Sequence, residues 1–169
     1  MSWSDRAAVF ASLSLALALG GCFQPLYGEA AHPGLVEHMR EVKVEPIPER
    51  IGHYLGDDLI TRMNGSGATP EPKYSLKITL AENTLTPTVE SQISLADAAT
   101  LVTDANITLT RIDNGAVVYK GLATSSATYD RSLQSFADLR AARDAEIRNA
   151  RALSEEIEVR VAAALGQQG

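Results

Sequence analysis

Cys22 is the only cysteine in this chain of 169 residues, and its thiol is the most reactive side-chain group that the sequence offers. It ends the segment Leu19-Gly20-Gly21-Cys22, directly behind an apolar run from Ala7 to Leu19. A basic residue, a short apolar run and small residues before a cleavage point form the order of a secretory signal peptide. The run is shorter than the roughly 20 apolar residues that a membrane-spanning helix needs. We therefore expect residues 1–21 to be a cleaved signal peptide.

The same four residues resemble the lipobox of bacterial lipoproteins. That resemblance implies a thioether-linked lipid on Cys22, cleavage before it and acylation of the new amino terminus. Stable anchoring needs more than one hydrophobic signal, and a multiply acylated cysteine supplies it. Phe23 follows Cys22, and the resemblance implies that a residue other than Asp here favours the outer membrane. The expected location is the periplasmic face of the outer membrane. The alternative is an ordinary buried cysteine behind a hydrophobic helix.

The remaining candidates for chemistry are scattered. His32, His38 and His53 lack a histidine four residues away, and no HExxH motif occurs, so the sequence predicts no metal site. Gly65-Ser66-Gly67 lacks the glycine spacing of a nucleophile elbow and the Lys-Ser/Thr pair of a phosphate loop. We expect no catalytic residue and no cofactor, and therefore a protein that is not an enzyme.

Charge and cysteine content restrict the class further. The formal net charge is −6, which makes the chain a poor general binder of nucleic acid. Without a second cysteine there is no internal disulfide, so packing alone must hold the fold. The length after cleavage fits one domain. We expect a lipidated tether at 22–39, a single domain at 40–165 and a short tail at 166–169.

Residue patterns divide the domain into strands and helices. Four stretches alternate apolar and polar residues as strands do, at 40–47, 74–81, 101–112 and 117–122. Two stretches have apolar residues at helical spacing, at 49–63 and 135–165. The interpretation of 82–99 stays open, as does the order of the Gly65 to Pro72 loop.

Local signals refine these elements. Val42 and Val44 are expected to face the core. Gly52 and Gly56 weaken the first helix, and Ser135-Phe136-Ala137-Asp138 is a weak capping box that begins the second. Asn114-Gly115 suits a tight hairpin, and a two-residue turn there places Ile107 opposite Leu122.

The order strand, helix, strands, helix predicts an α+β fold. We expect a two-layer sandwich in which a small, mostly antiparallel or mixed sheet has two helices packed on one face. The other face would be rich in Thr and would carry Lys77. It is either a surface for a partner or a face that simply meets water.

Two parts of the chain carry short motifs. The first is Cys22-Phe23-Gln24-Pro25-Leu26-Tyr27-Gly28, and the second is Ala127-Thr128-Tyr129-Asp130, followed by Ser135-Phe136-Ala137-Asp138 and by Arg143-Asp144-Ala145. Both resemble the LPS-assembly lipoprotein LptE family of alphaproteobacterial type, the first at the family's mature start, apart from a missing Gly after the cysteine, and the second near its carboxyl end. The resemblance implies a non-enzymatic lipoprotein inside the LptD β-barrel, where it assists barrel assembly and the insertion of lipopolysaccharide into the outer leaflet.

If lipopolysaccharide is bound directly, its phosphates call for Lys or Arg. The candidate residues are Lys73, Lys77, Arg111 and Lys120. Lys120 is two positions from each of the apolar residues Val118 and Leu122, so it shares their face of the strand, which argues against an outward orientation. The alternative for each is a solvated surface cation. For the whole protein the alternatives are an auxiliary lipoprotein of an envelope ABC-type lipid transporter, with a permease as partner, and an envelope hydrolase, for which the sequence shows no acid or nucleophile.

Overall fold

The computed structural model describes residues 34–65, 70–86 and 98–167, which form three helices and four strands. In chain order the elements are α1 (Leu35–Arg40), β1 (Val42–Val44), α2 (Arg50–Asn64), β2 (Tyr74–Leu85), β3 (Ala98–Arg111), β4 (Val117–Asp130) and α3 (Ser135–Gly166). The sheet order is β1-β2-β3-β4, with β1 parallel to β2 and the other two pairs antiparallel. The expected α+β sandwich with a mixed sheet is confirmed.

The core lies between the helices and one face of the sheet. Cross-strand register sets Leu76 opposite Leu109 and Ile78 opposite Ile107, and all four are buried. The helices supply the other half of the core through Ile51, Leu55, Leu59, Leu153, Ile157 and Val161, which have helical spacing and are at most 1% exposed. Burying a side chain of this size stabilises the fold by about 1.5–3 kcal/mol.

A buried polar residue fixes α3 over the sheet. Asn149 is 1% exposed, and its Nδ2 donates to the carbonyl of Leu101 at 2.9 Å and to Oγ1 of Thr103 at 3.0 Å. Ser125 donates through Oγ to Oδ1 of Asn149 at 3.0 Å. A rotation or slide of α3 would leave these groups buried without partners, so the network sets the position of the helix.

Two arginines of α3 cover the free edge of β4. Arg148 donates through Nη2 to the carbonyl of Thr128 at 2.9 Å, and Arg160 donates to the carbonyl of Leu122. Each is held by a carboxylate four residues earlier, Asp144 and Glu156, as their spacing in the sequence predicts. The six residue steps from Leu122 to Thr128 in β4 and the twelve from Arg148 to Arg160 in α3 both span about 18–20 Å. The two arginines are therefore spaced to match the two carbonyl groups that they bind.

Several expectations need correction. Residues 35–39, expected in the tether, belong to α1, and Leu35 and Met39 are buried in the core. The capping box at Ser135 is wrong, because α3 starts after Gln134 with no side-chain cap. Asp138 instead accepts a hydrogen bond from the backbone N–H of Ser132 at 3.2 Å.

The predicted hairpin register is also wrong by one residue. Ile107 lies opposite Gly121, and Leu122 lies opposite Asn106. A bulge at Leu109/Thr110 adds Val118 to β4, and Gly115, with a φ of 68°, lies in the connection. A shift of one residue moves every side chain of a strand to the other face.

Some expectations lie outside the described residues. These are the signal peptide at 1–21, Cys22, the tether as far as Pro33, and residues 168–169 of the tail; Gly166, expected in the tail, ends α3. Part of the Gly65 to Pro72 loop and residues 87–97 also lie outside them. Of the open stretch at 82–99, residues 82–85 extend β2 and 98–99 begin β3.

Candidate functional site

The sheet face opposite the core is the candidate site, and we call it the open sheet face. Its side chains form five rows across β2, β3 and β4: Lys77, Thr108 and Lys120; Thr79, Asn106 and Leu122; Ala81, Asp104 and Thr124; Asn83, Val102 and Ser126; Leu85, Thr100 and Thr128. None of the fifteen is fully buried, and most are exposed. Threonine is the most frequent residue among them. The described helices pack on the opposite face, as expected.

Three lysines gather at one end of this face. Lys77 and Lys120 flank Thr108 in one row, so their backbones lie two strand spacings, about 10 Å, apart. Lys43 of β1 pairs with Ser75, the residue two positions before Lys77, and therefore projects from the same face. No ion pair joins any of the three lysines to another residue within 34–65, 70–86 and 98–167. We call Lys43, Lys77 and Lys120 the basic end.

Two acidic residues, Glu45 and Asp104, lie near the basic end. Glu45 follows β1, and its Oε1 accepts a hydrogen bond from Ser75 Oγ at 2.7 Å. Asp104 lies two rows beyond Lys77 and accepts a hydrogen bond from Thr124 Oγ1 at 2.6 Å. Each carboxylate accepts a hydrogen bond from a hydroxyl group, and neither forms an ion pair with a lysine of the basic end in the described ranges.

The other two predicted cations lie elsewhere. Lys73 donates to Oε1 of Glu41 at 2.5 Å, and His38 Nδ1 lies 3.1 Å from the other oxygen of that buried carboxylate. Burial raises the pKa of the Glu41 carboxyl, but the hydrogen bonds from Lys73 and His38 outweigh burial and hold the pKa below its ordinary value. The same contact raises the pKa of Lys73. Lys73 thus has a structural partner inside the fold.

Arg111 is placed over an aromatic ring. Its guanidinium lies 5.7 Å from the centre of the Tyr74 ring, at the end of the sheet beside Lys73. These residues line a shallow cleft together with Pro72 and Asp113. The structure therefore brings together two of the four predicted cations, Lys77 and Lys120, and separates them from Lys73 and Arg111.

Sequence reasoning missed Lys43 and misjudged Lys120. The signal for Lys43 was present, because Val42 and Val44 were expected to face the core and the residue between them must face the other way. Its neighbour in the sheet could not be inferred. Lys120 points outward because the bulge changes its parity, and Leu122 shares its face.

The described residues offer little for catalysis. No group of three His, Cys, Asp or Glu side chains among them is close enough to hold a metal ion. His53 is exposed on α2. No helix within the described ranges is both long and apolar enough to cross a membrane. The arrangement is suited to binding through hydrogen bonds and positive charge.

Comparisons with known proteins agree on the fold. No family model and no curated protein matches the sequence. A Caulobacter crescentus protein assigned as a lipoprotein superposes with a TM-score of 0.62 at 24% identity, over 80% of this chain and 98% of its own. Rare lipoprotein B from Shewanella oneidensis superposes with a TM-score of 0.55 at 8% identity, over 75% of this chain and 96% of its own.

A third similar structure is a minor lipoprotein from Acinetobacter baumannii. It has a TM-score of 0.51 at 12% identity, over 72% of this chain and 90% of its own. All three identities are below 25%, so these likenesses establish the fold and leave the role to be argued from the site. The chain shares the fold of these three lipoproteins.

Proposed function

We propose that this chain is an outer-membrane lipoprotein of LptE type. In this role it fills the lumen of an LptD-like β-barrel, assists its assembly and helps to deliver lipopolysaccharide to the outer leaflet. Three features support the proposal: the lipobox at Cys22, the family resemblance of the sequence at both ends, and a fold shared with lipoproteins. The observation that carries it is the open sheet face.

The open sheet face has the chemistry that a barrel lumen requires. The interior of a wide outer-membrane barrel is polar, so a domain inside it must satisfy many hydrogen bonds. Threonine, serine and asparagine side chains both donate and accept, and they occupy eight of the fifteen positions in the five rows. A lipid anchor would keep the domain beside its barrel and raise the effective concentration of the pair.

The basic end is our candidate for contact with lipopolysaccharide. Phosphate groups bind Lys and Arg through charge-assisted hydrogen bonds. Lys77 and Lys120 point outward from one row, and Lys43 stands beside Lys77. Lys73 and Arg111, also predicted from the sequence, are weaker candidates because Glu41 and the Tyr74 ring already engage them.

A pull-down tests the role. The acylated protein is purified in mild detergent from envelopes, and bound proteins are identified by mass spectrometry. Recovery of a large β-barrel in about equal amount supports the proposal. Recovery of a permease supports the auxiliary lipoprotein of an ABC-type lipid transporter instead, and recovery of neither contradicts the plug.

A binding assay tests the lipopolysaccharide contact. Lys77→Gln with Lys120→Gln should weaken lipopolysaccharide binding by about tenfold, since charged hydrogen bonds contribute roughly 1.5–3 kcal/mol in favourable sites. Arg131→Gln with Arg151→Gln removes the same charge from exposed positions outside the sheet and should leave binding unchanged. Equal effects of the two double variants would show that only total charge matters and would contradict the assignment.

A further inference from the structure

The start of α3 carries an apolar and basic surface on the side away from the core. It consists of Leu133, Phe136, Leu139, Arg140, Arg143 and Ile147, and we call it the α3 stripe. The helical members are three or four positions apart, so they share one side of the helix. Ala145, Asn149 and Leu153 face the core from the opposite side. Leu133 is 82%, Phe136 70% and Leu139 51% exposed.

The arginines of the α3 stripe differ from most other arginines of the helices. Arg62, Arg148 and Arg160 each pair with a carboxylate. Arg140 and Arg143 pair with none in the part of the chain that the structure describes, and Arg140 lies 5.5 Å from the centre of the Phe136 ring. Like charges three positions apart disfavour a helix. Apart from the contact between Arg140 and the Phe136 ring, no ion pair or ring contact within the described ranges engages these cations.

An anionic bilayer surface fits both halves of the α3 stripe. Phenylalanine and leucine side chains enter the boundary between headgroups and acyl chains, while arginine side chains reach the phosphates. The whole chain carries a net charge of −6 and would be repelled by such a surface. Local attraction through Arg140 and Arg143 supplies the charge complementarity.

The chain length between the anchor and the fold permits this contact. The twelve residue steps from Cys22 to Gly34 span at most about 42 Å. The helix measures about 40 Å from the middle of the α3 stripe to its end at Gly166. Even if Gly34 lay level with the far end of α3, a fully extended tether would therefore let a lipid on Cys22 enter the bilayer on which the start of α3 rests.

We propose that the α3 stripe binds the surface of an anionic phospholipid bilayer and sets the orientation of the domain on it. The inference rests on the lipid anchor of the proposed function and concerns the anchored domain before it enters a barrel. It assigns α3 a role that neither the open sheet face nor the basic end provides.

The test places a fluorescent reporter in the α3 stripe. Trp3, the only tryptophan of the chain, lies in the expected signal peptide, so Phe136→Trp gives the acylated protein a single tryptophan. Vesicles contain phosphatidylethanolamine with phosphatidylglycerol, and their acyl chains are brominated to quench inserted tryptophan. We expect at least twofold quenching, lost when Arg140→Gln and Arg143→Gln are added and absent in phosphatidylcholine vesicles. Val117→Trp, a position 60% exposed on β4, is the matched reporter and should stay unquenched.

The outcomes separate this inference from the proposed function. Failure of the acylated protein to float with neutral vesicles would overturn the anchor and with it both proposals. Flotation with equally weak quenching of both reporters would overturn the α3 stripe alone. The third outcome combines two results: quenching at position 136 is weak, and the Arg140→Gln, Arg143→Gln variant no longer recovers a barrel in the pull-down. It would assign the α3 stripe to a protein contact and overturn the bilayer contact.

Discussion

Substitution by alanine at two glycines of α2, Gly52 and Gly56, should have opposite effects on the stability of the fold. Gly52 lies against the segment before the helix: a Cβ there would stand 2.7 Å from the carbonyl oxygen of Ile47 and 2.8 Å from its Cγ2. At Gly56 a Cβ would meet only Ile47 Cδ1, at 4.0 Å. Replacing Gly by Ala within a helix stabilises it by about 0.8–1 kcal/mol when nothing else changes. Gly56→Ala should show most of that gain.

Gly52→Ala should destabilise the fold instead. Overpacking of this kind costs about 1–3 kcal/mol, and because the obstacle is a backbone carbonyl it cannot rotate away. After the helix gain is subtracted, we expect a net loss of up to about 2 kcal/mol. Urea unfolding followed by circular dichroism, with the slope unchanged, measures both variants. Equal stabilisation by the two substitutions would show that Ile47 does not pack on α2 and would refute the reasoning.

Three further predictions follow from polar contacts. Asn149→Ala should destabilise the fold by about 2–4 kcal/mol in urea unfolding, because it leaves buried hydrogen-bonding groups of β3 and β4 without a partner. The pKa of Glu41 is lower in the folded protein than its ordinary value of 4.5, so its ionised carboxylate stabilises the fold above pH 4.5. This contribution is lost as the pH falls through the lower folded pKa. Glu41→Gln should therefore flatten the pH dependence of thermal unfolding in that acidic range. Arg148→Ala with Arg160→Ala should expose the β4 edge and shift the protein toward dimers in analytical ultracentrifugation, whereas Arg143→Ala with Arg151→Ala should not.

Much of the fold could be predicted from local patterns because they report burial directly. Leu76 and Ile78 alternate with exposed residues in β2, and Leu55 and Leu59 repeat at helical spacing in α2. Such periodicity shows which side of an element is buried. It does not show which strand lies beside it. For that reason Lys43, whose face could be inferred, was not placed next to Lys77.

The remaining elements depended on contacts between distant parts of the chain. Leu35 and Met39 lie in a stretch too short to signal a helix by itself, and their burial in the core stabilises α1. Asn149 is a polar residue in an alanine-rich helix, and its partners come from two strands. No spacing within α3 indicates those partners.

Close packing between α3 and β4 explains why the alternation in β4 was misleading. Between Tyr119 and Tyr129, the residues of β4 that face α3 are small: Gly121, Ala123, Ser125 and Ala127. The Tyr119 ring occupies the space that a side chain at 121 would need. With small residues facing inward, the larger Leu122 is left on the open sheet face. Hydrophobicity alone therefore points to the wrong side of this strand.

The bulge at Val118 thus determines the chemistry of the candidate site. Without the additional residue, Lys120 would occupy the face that packs against the helices, where an unpaired ammonium group is costly to bury. With it, Lys120 lies across Thr108 from Lys77 on the open sheet face. Small residues beneath α3 and a pair of lysines on the opposite face are therefore two consequences of one register. Any substitution that restores the unbulged register would remove the basic end and disturb the core together.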